Sequence, residues 1–240
     1  MHSNFYSKKN YLFSVLFQSV KDKSAYFSLL TIKRTLFASG IKLADGTLRE
    51  YMSEAMASGL VGDAGRGWYS RHNKPVSLDP KPIAKLIRAV AKAFPLLDFC
   101  CWSTIQLNPF AQHLLARTTI FLYAESDTLE SVADHLREEG WDAWPNPGKK
   151  EADQFIRSGE KTVILRPAIV KQPASTEHQA PIEKVLVDLK IEAARLNLMD
   201  TTEVQRIIDN VLSSGLVQLP VLLGYAEAKR EVFESGEITH

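Results

Sequence analysis

The stretch Thr47-Leu48-Arg49-Glu50-Tyr51-Met52-Ser53-Glu54-Ala55-Met56-Ala57-Ser58-Gly59, followed at once by Leu60-Val61-Gly62-Asp63-Ala64-Gly65-Arg66-Gly67-Trp68-Tyr69-Ser70-Arg71, decides the fold. Leu48, Tyr51, Met52, Ala55 and Met56 recur at i, i+3, i+4, i+7 and i+8, the stripe of a helix that buries one face. Thr47-Leu48-Arg49-Glu50 has the form of a capping box, which predicts the helix start at Thr47, and Gly59 supplies the stop. Arg49, Glu50, Ser53 and Glu54 are left facing outward. The following segment carries two short β-prone pieces around a glycine-rich turn, the pattern of a hairpin.

Upstream, a short helix is expected over about Thr31 to Ser39, closed by Gly40. Tyr11, Leu12, Val15 and Leu16 predict an earlier one. The apolar run at Tyr11–Phe17 behind Lys8-Lys9 lacks a small-residue cleavage site and reads as a buried helix, not a signal peptide. Three helices and a hairpin, in that order, are the order of a winged helix-turn-helix.

Downstream, the pattern alternates. Strands are expected at Asp98–Ser103, Thr118–Ala124 and Thr162–Leu165, and a helix through Leu129, Val132, Ala133 and Leu136 ending at Gly140. Further helices are expected at Pro181–Arg195, Asp200–Ser214 and from about Leu219 to Phe233. Trp141-Asp142-Ala143-Trp144, between Gly140 and Pro145, falls where a loop is expected. The fold class is therefore α+β. A winged helix-turn-helix over residues 1–80 is followed by a mixed α/β domain over 81–240 with a helical C-terminal tail.

The charge supports a division of labour. The chain of 240 residues has a net charge of +1, but residues 1–92 hold 15 basic and 6 acidic residues and the remainder holds 14 and 22. A basic front half suggests a surface that meets nucleic acid. In a winged helix the third helix enters the major groove and the wing follows the backbone. The candidate DNA-binding residues are Thr47, Arg49 and Ser53 on that helix, Lys33, Arg34 and Lys42 before it, Arg66 at the wing tip and Arg71 at its base. Arg49 can read guanine, while the flanking cations contact phosphate and carry little base information. Glu50, if it serves as the capping partner, is removed from base readout. The alternative is a winged helix that binds protein instead.

The residues also resemble a known family. Leu48-Arg49-Glu50-Tyr51 through Gly59-Leu60-Val61, then Gly65-Arg66-Gly67-Trp68-Tyr69, resembles the helix-to-wing segment of AbiEi-type antitoxins of type IV (abortive-infection) toxin–antitoxin pairs. Cys101-Trp102-Ser103-Thr104-Ile105-Gln106-Leu107-Asn108 and Pro181-Ile182-Glu183-Lys184-Val185-Leu186-Val187-Asp188-Leu189 are similar to segments of that family's C-terminal domain. The resemblance implies an antitoxin that represses its own operon by binding double-stranded promoter DNA. Its implied partner is a nucleotidyltransferase-like toxin of the AbiEii type. Direct contact stays open, because some members neutralise without a stable complex. The C-terminal domain is implied to serve neutralisation, with self-association as a homodimer or cooperative DNA binding.

No catalytic or metal site is expected, and no cofactor. A Mg²⁺-dependent nuclease needs an Asp followed by E-x-K on a neighbouring strand, and the only E-x-K in the back half is Glu227-Ala228-Lys229, within an expected helix. The histidines His2, His72, His113, His135, His178 and His240 show no ligand spacing. Cys100 and Cys101 are adjacent, which suits a structural pair in a reducing cytoplasm better than a disulfide framework. No apolar run approaches the ~20 residues that span a bilayer, so no membrane partner is expected. The carboxylates Glu125, Asp127, Glu130, Asp134, Glu138, Glu139 and Asp142 read first as a solvated face, and alternatively as a surface that meets a basic toxin or mimics nucleic acid.

Overall fold

The computed structural model describes residues 25–112, 118–157 and 159–233. The expected helix at Tyr11–Leu16 and the residues His2, His113 and His240 lie outside these. The structure is α+β, with two sheets distributed over two compact units. Among the described residues, the first unit comprises 25–76, Val211–Leu223 and 232–233. The second comprises Ser77–Asn210 and Gly224–Glu231.

The first unit runs β1 (Tyr26–Ser28), α1 (Leu29–Ala38), α2 (Asp45–Ala57), β2 (Gly62–Gly65) and β3 (Trp68–Ser70). The Ser28 hydroxyl caps α1 by accepting from the Thr31 amide at 3.1 Å. The sheet is antiparallel in the order β1-β3-β2, with Phe27 opposite Tyr69. Leu48, Tyr51, Met52 and Ala55 of α2 pack with Ile32 and Leu36 of α1 and with Phe27, Val61 and Tyr69. That is the stripe read from the sequence. Strand β1 carried no readable signal, being three residues long. At Gly62 a Cβ would stand 2.0 Å from the His72 carbonyl oxygen, so the crossing of these two backbones requires glycine.

The start of α2 corrects the capping-box expectation. The helix begins at Asp45, flanked by Ala44, with no side-chain cap, and Thr47 lies inside its first turn. Asp45 supplies negative charge at the positive end of the helix dipole, and Lys33 of α1 donates to its Oδ1 at 2.6 Å. The start thus carries an ion pair to another helix, a partner that no local pattern reveals. Glu50 is accordingly not a capping partner.

The segment expected as a helical tail of the back domain supplies part of the first unit. The Tyr26 hydroxyl donates to the Gly215 carbonyl at 2.7 Å and accepts from the Val217 amide at 2.8 Å. Leu216 pairs with Lys74 and Val76 through backbone hydrogen bonds of 2.8 and 3.1 Å, and Gln218 Nε2 donates to the Asp63 carbonyl at 2.7 Å.

The second unit contains α3 (Lys81–Ala93), β4 (Cys100–Ser103), a 3₁₀ turn (Thr104–Phe110), β5 (Ile120–Ala124), α4 (Leu129–Glu138), β6 (Asp142–Pro145), α5 (Lys149–Phe155), β7 (Thr162–Pro167) and α6 (Ile182–Leu196). Helices α7 (Thr201–Ser214) and α8 (Leu219–Lys229) follow, each divided between the two units. The sheet order is β4-β5-β7-β6, with β4 antiparallel to β5 and the other pairs parallel. Alternation along the strands sorts the two faces. Cys101, Ile120, Leu122, Ala124, Val163 and Leu165 pack with α3 and α4. Cys100, Tyr123 and Arg166, paired across the strands, turn to the opposite face, where α6 lies.

Two further expectations change here. Trp141–Trp144 is not a loop: Asp142–Pro145 is the edge strand β6, paired with Thr162–Leu165. A four-residue edge strand ending in proline looks like a turn until a neighbour pairs with it. The last helix stops at Lys229 rather than Phe233, because Arg230 adopts a left-handed conformation with φ 58°. Among the described residues, no helix is long and apolar enough to cross a membrane.

Candidate nucleic-acid interface

The outward face of α2 is built by default. With Leu48, Tyr51, Met52 and Ala55 buried, Arg49, Glu50, Ser53 and Glu54 are left exposed, while Thr47 is half-buried. Arg49 also acts on the sheet. Burial and Asp63 push the Tyr69 hydroxyl above its usual range, and the Arg49 guanidinium opposes them.

The cations of α1 and the connecting segment are less free than composition suggests. Arg34 is exposed, but Lys33 is bound to Asp45, and that contact holds the Asp45 carboxyl below its usual range. Lys42 Nζ lies 5.5 Å from the centroid of the Phe37 ring. Lys33 and Lys42 both line a cavity of about 250 Å³ walled by Leu36, Phe37, Ile41 and Leu43.

The hairpin turn places Arg66 at its tip. Arg66 and Gly67 have φ of 44° and 82°, and positive φ at both central residues matches the twist of the flanking strands. The Asp63 carboxylate accepts from the Gly65 amide at 2.8 Å and steadies the approach to the turn. Arg71 lies at the other end of β3, exposed, its amide donating to the Ala25 carbonyl at 3.0 Å. The structure therefore gathers Lys33, Lys42, Thr47, Arg49 and Ser53 on two helices and their connection. Arg66 and Arg71 are set at opposite ends of one strand.

The positive charge of residues 1–92 does not all belong to this unit. Lys81, Lys85, Arg88 and Lys92 lie on α3, in the second unit. Their spacing at i, i+4, i+7 and i+11 is legible in the sequence, but a charge total over a block of residues does not show it.

The second unit buries a small set of ionisable groups. Lys184 bonds Asp188 at 2.9 Å and the Tyr225 hydroxyl at 2.7 Å, and Arg166 binds Glu192 at 2.7 Å, all of them buried. Burial pushes the Cys100 thiol up to about 11 and Cys101 well above the usual thiol range, so both are protonated at neutral pH. The carboxylates from Glu125 to Asp142 are exposed. Asp134 is paired with Arg137 at 2.7 Å, and Asp142 accepts from Trp144 Nε1 at 2.7 Å. Among the described residues, no group of three or more His, Cys, Asp or Glu side chains could hold a metal ion.

A family model matches residues 47–238, from within α2 past the end of α8. The chain belongs to that family. It is described as a family of unknown function, DUF6577. The match takes in α2 from Thr47 onward, the β2–β3 hairpin and the second unit. No curated protein matches the chain.

Proposed function

We propose that the protein is an antitoxin that neutralises a nucleotidyltransferase-like toxin and represses its own operon by binding promoter DNA in the cytoplasm. In this reading residues 1–80 form a winged helix-turn-helix, with α2 as the recognition helix and β2–β3 as the wing. Residues 81–240 form the AbiEi-like C-terminal domain. The observation that carries it is the anchoring of α2: Leu48, Tyr51, Met52 and Ala55 sit in the core, leaving Arg49 and Ser53 outward beside a hairpin whose tip is Arg66. A rigidly packed helix with short polar and cationic side chains on its free face is what groove reading requires. The three segments resembling AbiEi-type antitoxins support the antitoxin role. They fall on α2 and the hairpin, on β4 and its 3₁₀ turn, and on the start of α6.

The test uses the full chain and its own promoter. The wild type should prefer that duplex over random DNA, Arg49→Ala should cost about 1–3 kcal/mol of that preference, and co-expression should restore growth to cells carrying the toxin. Equal affinity for promoter and random duplex at low salt would overturn the repressor reading. A second reading, a winged-helix scaffold that binds a protein partner, is favoured by Leu30 and Phe37, exposed at 55% and 64% on α1.

A further inference from the structure

We infer that α3 is a second nucleic-acid contact, a phosphate-binding ridge on the second unit that holds duplex DNA without reading its bases. The helix runs Lys-Pro-Ile-Ala-Lys-Leu-Ile-Arg-Ala-Val-Ala-Lys-Ala from Lys81 to Ala93 and contains no acidic residue. Ile83, Leu86 and Val90 are fully buried in the core beneath the sheet. The exposed positions before Ala93 are Lys81, Lys85, Arg88 and Lys92, and no others. At 100° per residue these four fall within an arc of about 60°, one straight line along the helix.

The ridge is about 16 Å long at 1.5 Å per residue, which matches the axial span of about five phosphates on one DNA strand. None of the four cations forms an ion pair with another described residue. Among the described residues no carboxylate neutralises them, as Asp45 does Lys33. Lys85 Nζ also lies over the Trp141 ring, 5.9 Å from its centroid. A membrane surface is the poorer match, because helices that lie on bilayers insert their apolar face and that of α3 is occupied by the core. An acidic protein surface would need carboxylates in a matching line. A duplex presents anions at every step.

The inference deepens the DNA-binding reading and rests on it only for the choice of duplex DNA as the ligand. Its test compares two full-length quadruple variants. One carries Lys81→Gln, Lys85→Gln, Arg88→Gln and Lys92→Gln. The other carries Lys149→Gln, Lys150→Gln, Lys161→Gln and Lys171→Gln, the same charge removed from exposed positions elsewhere in the second unit. Binding to a promoter duplex and to a random duplex is measured against salt concentration. The α3 variant should lower the slope of log K against log salt by about three to four, equally on both duplexes, and the control by less than one.

Equal slopes for the two variants, or an unchanged slope for the α3 variant, would overturn the inference. So would an α3 variant that alters only the oligomeric state or only binding to anionic vesicles. The two readings fail separately. A slope that depends on α3 while Arg49→Ala leaves promoter preference intact removes the winged-helix reading alone. The reverse removes only the ridge.

Discussion

The Lys184 ammonium lies 3.5 Å from the centroid of the Tyr123 ring, sealed between the sheet and α6 with no exposed surface. Its other partners are Asp188 and the Tyr225 hydroxyl, which itself donates to Asp188 at 2.9 Å. The face of the sheet away from the apolar core is thus closed by a buried ionic layer, continued by Arg166 and Glu192. Such a layer adds little net stability when intact but is costly to break, because the survivor is left charged and dry.

Lys184→Ala should therefore destabilise the chain by about 3–5 kcal/mol, with Asp188 left uncompensated. The double variant Lys184→Met, Asp188→Leu should recover most of that loss. Urea unfolding of the single and double variants measures both. A double variant as unstable as Lys184→Ala would show that the pair itself, and not the stranded carboxylate, holds the layer together.

Stability should fall steeply on the alkaline side. The Cys100 thiol is pushed from its ordinary 9.0 up to about 11, and burial also raises the Tyr123 and Tyr225 hydroxyls above their ordinary 10.0. These groups hold their protons more tightly when folded. The Cys100 contribution, about 2–3 kcal/mol, is complete below pH 9 and is lost as pH climbs from about 9 through 11, whereas that of the two tyrosines starts to be lost only above pH 10. Lys229, lowered by burial, works in the opposite sense. Unfolding midpoints recorded from pH 7 to 11 should stay level and then drop above pH 9. A flat profile to pH 11 would remove this account.

Arg66→Asn separates the fold of the wing from its charge. Asn tolerates the left-handed conformation that Arg66 adopts, so stability should change by less than about 0.5 kcal/mol, while the salt slope of DNA binding falls by about 1. Gly67→Ala should do the reverse, costing about 1 kcal/mol of stability at φ 82° with the charge intact. Thermal unfolding and DNA titration of the two variants should show this crossed pattern. Two variants affecting both readouts alike would contradict it.

Tyr26→Phe should loosen residues 211–223 from the first unit. The hydroxyl serves the Gly215 carbonyl and the Val217 amide, both buried, and its loss should cost about 1–3 kcal/mol. Hydrogen exchange at the Val217 amide reads it directly. Unchanged protection there would mean that other contacts hold the segment.

The sequence by itself determined the elements whose patterns are local. The α2 stripe, the Gly65-Arg66-Gly67 turn, the runs at Ile120–Ala124 and Thr162–Leu165, and the helix stops at Gly40, Gly59 and Gly140 follow from side-chain periodicity and from residues that accept positive φ. Only the tertiary structure decided what depends on a distant partner. Strands β1 and β6 are too short to show a period and exist because β3 and β7 pair with them. Asp45 at the start of α2 takes its ionic partner, Lys33, from α1, and residues 211–223 join the first unit through contacts that include Tyr26. The charge followed the same rule. Composition located a basic front half, but whether a cation is free or bound depends on what folds against it, and that places Lys33 in an ion pair and Lys81, Lys85, Arg88 and Lys92 on the open face of α3.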